Sequence, residues 1–210
     1  MATTEVNGKI CLNPAYEVSE NDIVLYDGRR IAIINETIVI MLNKPKKVIS
    51  TVNDTHNRKI VMDYIPKKFR LTPVGRLDKN TTGLLLFTND GDLQQFLTHP
   101  KNNVTKDYEA IIEGRLSSLQ KGKIKKGIYI GFKEFGKAEI LNQITEKTRS
   151  KVTLRLRQGK KREIRRIFFK LKIKLFSLKR IGFSKIKLGD LKEGEYRELR
   201  KNEISLLRKL

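Results

Sequence analysis

Two short apolar runs constrain this chain more than any other feature. Ile38-Val39-Ile40-Met41-Leu42 and Leu84-Leu85-Leu86-Phe87 contain no polar residue. Each is closed by turn-forming residues, Asn43-Lys44-Pro45 after the first and Thr88-Asn89-Asp90-Gly91 after the second. Apolar runs this short between turn signals read as buried strands. The second turn also supplies a cap for a helix beginning near Asp92. Other segments follow the two standard periods. Residues 104–113 read as a strand and 117–126 as a basic helix. Val152, Leu154 and Leu156 alternate with Lys151, Thr153, Arg155 and Arg157, a half-buried strand with one basic face. Past Gly159 the spacing changes, and Ile164, Ile167, Phe168 and Leu171 fall on one helical face. A short helix is expected over 58–65, an extended piece with a turn over 71–78, strands near 174–183 and 185–199, and a final helix near 203–209. Strands outnumber helices and are mixed with them, so the fold class is α+β with a largely antiparallel sheet.

Asn7-Gly8 and Asp27-Gly28 are hairpin signals in the first 36 residues, with a joint near Asn35-Glu36. This predicts two parts, 1–36 and 37–210. Charge divides the same way. The chain carries 45 Lys and Arg against 23 Asp and Glu, a net +22. Residues 1–36 hold three basic and six acidic residues, whereas 155–187 hold fourteen basic residues and one acidic, Glu163. A charge of this size implies a polyanionic partner, most simply nucleic acid, met by the C-terminal third. An acidic membrane surface is the rival partner, but no basic amphipathic helix with aromatic anchors stands out.

The remaining composition narrows the chemistry. No apolar run approaches the ~20 residues of a membrane span, and MATTEVNGK lacks the order of a secretory signal. One cysteine, Cys11, excludes an internal disulfide framework and points to a reducing, cytoplasmic setting. His56, His99 and that cysteine are too few for a structural zinc site. Neither a phosphate-cradling Gly-Lys-Ser/Thr loop nor a dinucleotide fingerprint occurs.

The segment richest in chemistry is Val74-Gly75-Arg76-Leu77-Asp78-Lys79-Asn80-Thr81-Thr82-Gly83. It sets a carboxylate among cations in a loop before a buried strand. Opposite charge keeps such a carboxylate ionised, fit to act as nucleophile or base. The same residues also suit an Asp78 that only balances its neighbours or caps a turn.

A longer ordered series favours the first reading. After Asn43-Lys44-Pro45 come Gly75-Arg76-Leu77-Asp78, Thr82-Gly83-Leu84-Leu85, Lys106-Asp107-Tyr108, Gly159-Lys160-Lys161-Arg162-Glu163-Ile164-Arg165-Arg166, Leu178-Lys179-Arg180-Ile181-Gly182 and Gly194-Glu195-Tyr196-Arg197-Glu198-Leu199. This series resembles the bacterial ribosomal RNA pseudouridine synthases of the RsuA and RluB type over residues 37–210. The resemblance implies isomerisation of a uridine to pseudouridine within ribosomal RNA, the large-subunit RNA before the small, with no cofactor and no metal. It implies that Asp78 is the catalytic aspartate, Tyr108 the active-site tyrosine stacked on the uracil, and Arg165 the cation paired with the aspartate. Leu178 would pack on the base, and Arg76 would help fill the gap left by the flipped nucleotide. Lys160, Arg162 and Arg166 would hold flanking phosphates.

Residues 1–36 resemble the second half of an S4-like RNA-binding domain whose helical half is missing, a remnant poor in positive charge. Glu163 stands where relatives often have Gln, adding a negative charge near Arg165. Two other classes remain as alternatives. One is a non-catalytic ribosomal RNA binder or assembly protein. The other is a nuclease using Asp90 and Asp92 for a metal, although their turn-then-helix setting favours capping. A monomer is expected.

Overall fold

The computed structural model describes residues 3–19, 21–31 and 36–209. Part of the expected joint at Asn35-Glu36 lies outside them. The chain forms two compact units, 1–37 and 38–210. In the first, β1 (Thr4–Val6), β2 (Lys9–Ile10), β3 (Val24–Tyr26) and β4 (Arg29–Ile31) make an antiparallel sheet ordered β2-β1-β3-β4. Its two tight hairpins pair Val6 with Lys9 and Tyr26 with Arg29. Asn7, Gly8, Asp27 and Gly28 all take positive φ, as two-residue hairpin turns require and as their residue types allow.

The second unit is built on one sheet. Its strands are β5 (Val39–Lys44), β6 (Thr72–Pro73), β7 (Thr82–Thr88), β8 (Lys106–Glu113), β9 (Ile128–Gly131), β10 (Glu134–Gly136), β11 (Glu139–Glu146), β12 (Arg149–Leu156), β13 (Leu175–Phe183), β14 (Ile186–Lys187) and β15 (Tyr196–Glu198). Its helices are α1 (Gly91–Thr98), α2 (Ser118–Lys126), α3 (Glu163–Lys170) and α4 (Lys201–Arg208). The main path runs β11-β12-β8-β13-β7-β5-β15, with β14 beside β13 and β6 beside β7; β9 and β10 form a separate hairpin. On that path only β13 and β7 are parallel, with Lys179 opposite Thr82 and Arg180 opposite Gly83.

The two apolar runs lie at the centre for the reason their sequence gives. Along β5 and β7, Val39, Met41, Leu84 and Leu86 face one core with Leu93 and Leu97 of α1 and Leu207 of α4. Ile40, Leu42, Leu85 and Phe87 face a second, with Val61, Ile65, Leu71 and Leu77. Both faces are covered, so no polar residue interrupts the run. A third core joins Ala110, Ile112, Val152 and Leu154 to Ile164, Ile167 and Phe168 of α3. Asp90 caps α1 through Leu93 N–H (2.8 Å) and also meets Arg208, which makes it a capping residue rather than half of a metal pair.

Three expectations are corrected. Strand β5 runs on through Asn43 and Lys44 and stops only at Pro45. The helix expected over 58–65 is a single 3-10 turn, Val61–Tyr64, opened by Asp63 on Ile60 N–H and confined by Pro66. The strand expected over 185–199 is two short pieces, β14 and β15, because Gly189 and Gly194 take positive φ between them.

Gly83 fixes the parallel junction. It has φ +102°, and a Cβ there would lie 2.2 Å from the Arg180 carbonyl oxygen. Gly83→Ala is expected to split β7 from β13 and destabilise the protein by about 2–5 kcal/mol. Urea unfolding measures this, and a midpoint equal to wild type would contradict the close packing.

Candidate active site

The parallel junction opens into a cleft of about 220 Å3. Its walls come from the turn before β7, the end of α1, β8, the loop before α3, and β13. Asp78, Tyr108, Arg165, Arg76, Leu178, Lys160 and Arg162 all line it, although they are spread over about a hundred residues of sequence. Arg166 does not line the cleft. Its guanidinium is occupied by Ile130 O (2.9 Å), Gly131 O (2.8 Å), Lys161 O (3.1 Å) and Glu134 (2.6 Å). Four of its five N–H groups are engaged in these contacts, which staple the β9–β10 hairpin to α3.

Asp78 sits on a tight turn in which Thr81 N–H reaches Asp78 O at 2.9 Å. The turn is held by side chains rather than by the sheet ladder. Ser50 Oγ donates to Leu77 O (2.9 Å) and accepts from Leu77 N–H (3.2 Å). Arg165 reaches across from α3, because Ile164, Ile167 and Phe168 fix the helix face. Its Nη2 donates to Asn80 O (2.8 Å) and Thr81 Oγ1 (3.1 Å). Its Nε lies 3.6 Å from Asp78 Oδ2, an ion pair too long to be a hydrogen bond. Burial lowers the pKa of Arg165, and the Asp78 charge opposes that shift. The Asp78 side chain stays 31% exposed, open toward the cleft.

Two buried cations support the site, and neither was singled out from sequence. Lys44 is fully buried, and its ammonium donates to Pro45 O (2.7 Å), Val48 O (2.8 Å) and Lys79 O (3.4 Å). Desolvation lowers its pKa to about 8, opposed by Glu193 and Asp78. Arg180 is buried beneath the cleft, with Nε donating to Leu84 O at 2.6 Å. Burial lowers its pKa, and Tyr108 opposes that shift. Their sequence signals were the tripeptides Asn43-Lys44-Pro45 and Lys179-Arg180-Ile181, but cations are ordinarily expected at the surface.

Lys106 is a third cation in the cleft wall. It donates to Val104 O at 2.8 Å and lies over the Phe183 ring, and desolvation lowers its pKa to about 8. Tyr108 is half-buried on β8, opposite Leu154 and Arg180. Beside it, Asp107 is held by Arg155 (2.7 and 2.9 Å) and Lys187 (2.7 Å). Glu163 is buried, its pKa raised by desolvation, and its two oxygens accept from Lys137 N–H and Lys160 N–H at 3.1 Å each. It therefore positions the loop before α3. Among the described residues no group of three His, Cys, Asp or Glu could hold a metal.

The cleft thus gathers an acid on a hydrogen-bonded turn, an arginine 3.6 Å from it and a half-buried tyrosine. Residues 38–170 match the RNA pseudouridylate synthase family. Ribosomal large subunit pseudouridine synthase B of Bacillus subtilis is 34% identical over 98% of this chain and 85% of its own length. An uncharacterised RNA pseudouridine synthase of Aquifex aeolicus is 32% identical over 97% of this chain and 82% of its own. A crystal structure of a pseudouridylate synthase matches with a TM-score of 0.74 and 28% identity, covering 98% of this chain and 88% of the other. The chain belongs to the RNA pseudouridylate synthase family and is an isomerase acting on RNA uridine.

Lys44 offers a pH test. Its folded pKa of about 8 lies below the usual 10.5, so between those values the unfolded chain holds more protons and stability rises with pH. Lys106 contributes with the same sign. Lys44→Met is expected to flatten the gain in urea midpoint between pH 7 and pH 10, leaving the Lys106 part. An unchanged gain would contradict the burial of a charged Lys44.

Proposed function

We propose that this enzyme isomerises a specific uridine in ribosomal RNA, in the large subunit, with Asp78 as the catalytic carboxylate. The observation that carries the reading is the Asp78–Arg165 pair at 3.6 Å on the wall of a basic cleft. Asp78 either attacks the ribose or removes a ribose proton, and both routes need an ionised carboxylate oriented toward the sugar. The bond from N1 to the ribose breaks, the uracil turns, C5 joins the ribose carbon, the C5 proton is lost and N1 takes up a proton, so no atom is gained or lost overall. Arg165 orients the carboxylate. Tyr108 stacks on the uracil, returning about 1–3 kcal/mol of the few kcal/mol spent in flipping it. Leu178 packs against the base, and Arg76 occupies the space the nucleotide leaves.

Lys160 and Arg162 hold flanking phosphates, which position the RNA without reading its sequence. Target choice follows the relative named for the ribosomal large subunit. A ribosomal RNA substrate puts the enzyme's work in the cytoplasm. Residues 1–36 are a remnant of an S4-like RNA-binding domain that adds little attraction for RNA, a reading supported by the hairpins at Asn7-Gly8 and Asp27-Gly28 and by three basic against six acidic residues.

Asp78→Asn is expected to slow tritium release from C5-labelled ribosomal RNA by about 10²–10⁴-fold or more. Its RNA affinity is expected to stay within about twofold, since no phosphate contact is lost. Turnover comparable to wild type would remove Asp78 from the mechanism. An enzyme inactive from the outset on large-subunit RNA would favour the binding-protein alternative.

A further inference from the structure

Hairpin β9–β10 ends in a turn that folding alone does not favour. Its central residues, Phe132 and Lys133, have φ of +55° and +58°. Two positive φ values are the condition of a two-residue hairpin turn for which Asn-Gly and Asp-Gly are preferred. Asn7-Gly8 and Asp27-Gly28 meet that preference in this chain. A bulky residue in the left-handed region is an outlier, and Phe132 is also 90% exposed. An aromatic ring held out in solvent at a strained position suggests a use for the ring.

Its surroundings indicate what the ring meets. Tyr129 and Phe135 are cross-strand partners on the same hairpin, about half exposed, with ring centroids 5.5 Å apart. Cations are set among the rings. Arg166 lies 5.3 Å from the Phe132 centroid, and Lys170 lies 6.0 Å from that of Tyr129. Lys133 and Lys161 are exposed. The local acid, Glu134, is spent on Arg166. Exposed aromatic rings interleaved with cations form the usual surface for unpaired nucleotides, which stack on the rings while phosphates meet the cations. The hairpin is tied to the cleft wall, because Lys160 lines the cleft and donates to Phe135 O at 2.6 Å.

We propose that the β9–β10 hairpin is a second RNA contact, on which an unpaired base flanking the target nucleotide stacks against Phe132, with Tyr129 and Phe135 beside it. The proposal rests on the RNA-modifying reading of the cleft. Arg166 serves it indirectly, as the staple that fixes the hairpin to α3.

Phe132→Asn separates stacking from folding, because Asn tolerates positive φ. The test measures urea midpoint, affinity for a large-subunit RNA fragment at several salt concentrations, and kcat. The variant is expected to be as stable as wild type or more so. Its affinity is expected to fall about 5- to 100-fold with kcat unchanged. The slope of affinity against salt is expected to stay the same, since no phosphate contact is removed. Phe132→Leu, which keeps apolar area without a π face, is expected not to restore affinity. Affinity within twofold of wild type in Phe132→Asn, or full affinity in Phe132→Leu, would overturn the stacking role while leaving the modifying reading intact. A flattened salt slope would also overturn it, because the loss would then come from displaced cations. If wild type itself neither binds nor isomerises the RNA, both readings fall.

Discussion

The site depends on a single turn, residues 77–81, held by three side chains that come from distant parts of the sequence. Ser50 grips the backbone of Leu77, Lys44 reaches the carbonyl of Lys79, and Arg165 reaches Asn80, Thr81 and the Asp78 carboxylate. None of these contacts belongs to a sheet ladder. A catalytic group must be held within about half an ångström of its productive geometry, and a loop supplies that rigidity only when its polar groups are satisfied from outside. The covered strands β5 and β7 provide the frame, and α3 provides the arginine.

The basic residues divide into two populations. Lys44, Lys106 and Arg180 are buried or half-buried and shifted downward by desolvation; each donates to a backbone carbonyl, and Arg180 keeps an unpartnered Nη2 beside the cleft. Arg76, Arg162, Lys133 and Lys161 are exposed and free to face a polyanion. The net charge of +22 thus overstates the binding surface, because part of it is internal scaffolding. Arg166 illustrates the difference. Its place in a run of cations suggests a phosphate contact, yet four of its five N–H groups tie the β9–β10 hairpin to α3.

Much of the fold was legible where burial is one-sided or complete. The apolar runs identified β5 and β7, alternation identified β12, and the 3.6-residue period identified α3. Residues 128–146 gave no reading, although they form β9, β10 and β11. Most of β11 is exposed, with Ile140 and Gln143 only partly covered, so the apolar alternation that marks a strand is diluted. Of the candidate site residues, those carried by the ordered motifs gather in one cleft, except Arg166. Ser50, Lys44 and Arg180 escaped because their work is to satisfy backbone groups that only the tertiary fold brings near. No spacing rule announces such partners.

The central claim is that this cleft isomerises a uridine in ribosomal RNA. The most direct measurement is a single-nucleotide map of pseudouridine in ribosomal RNA from cells with the gene, without it, and with the gene restored. The account expects one or a few large-subunit sites to disappear on deletion and to return on restoration. An identical map in all three would contradict it.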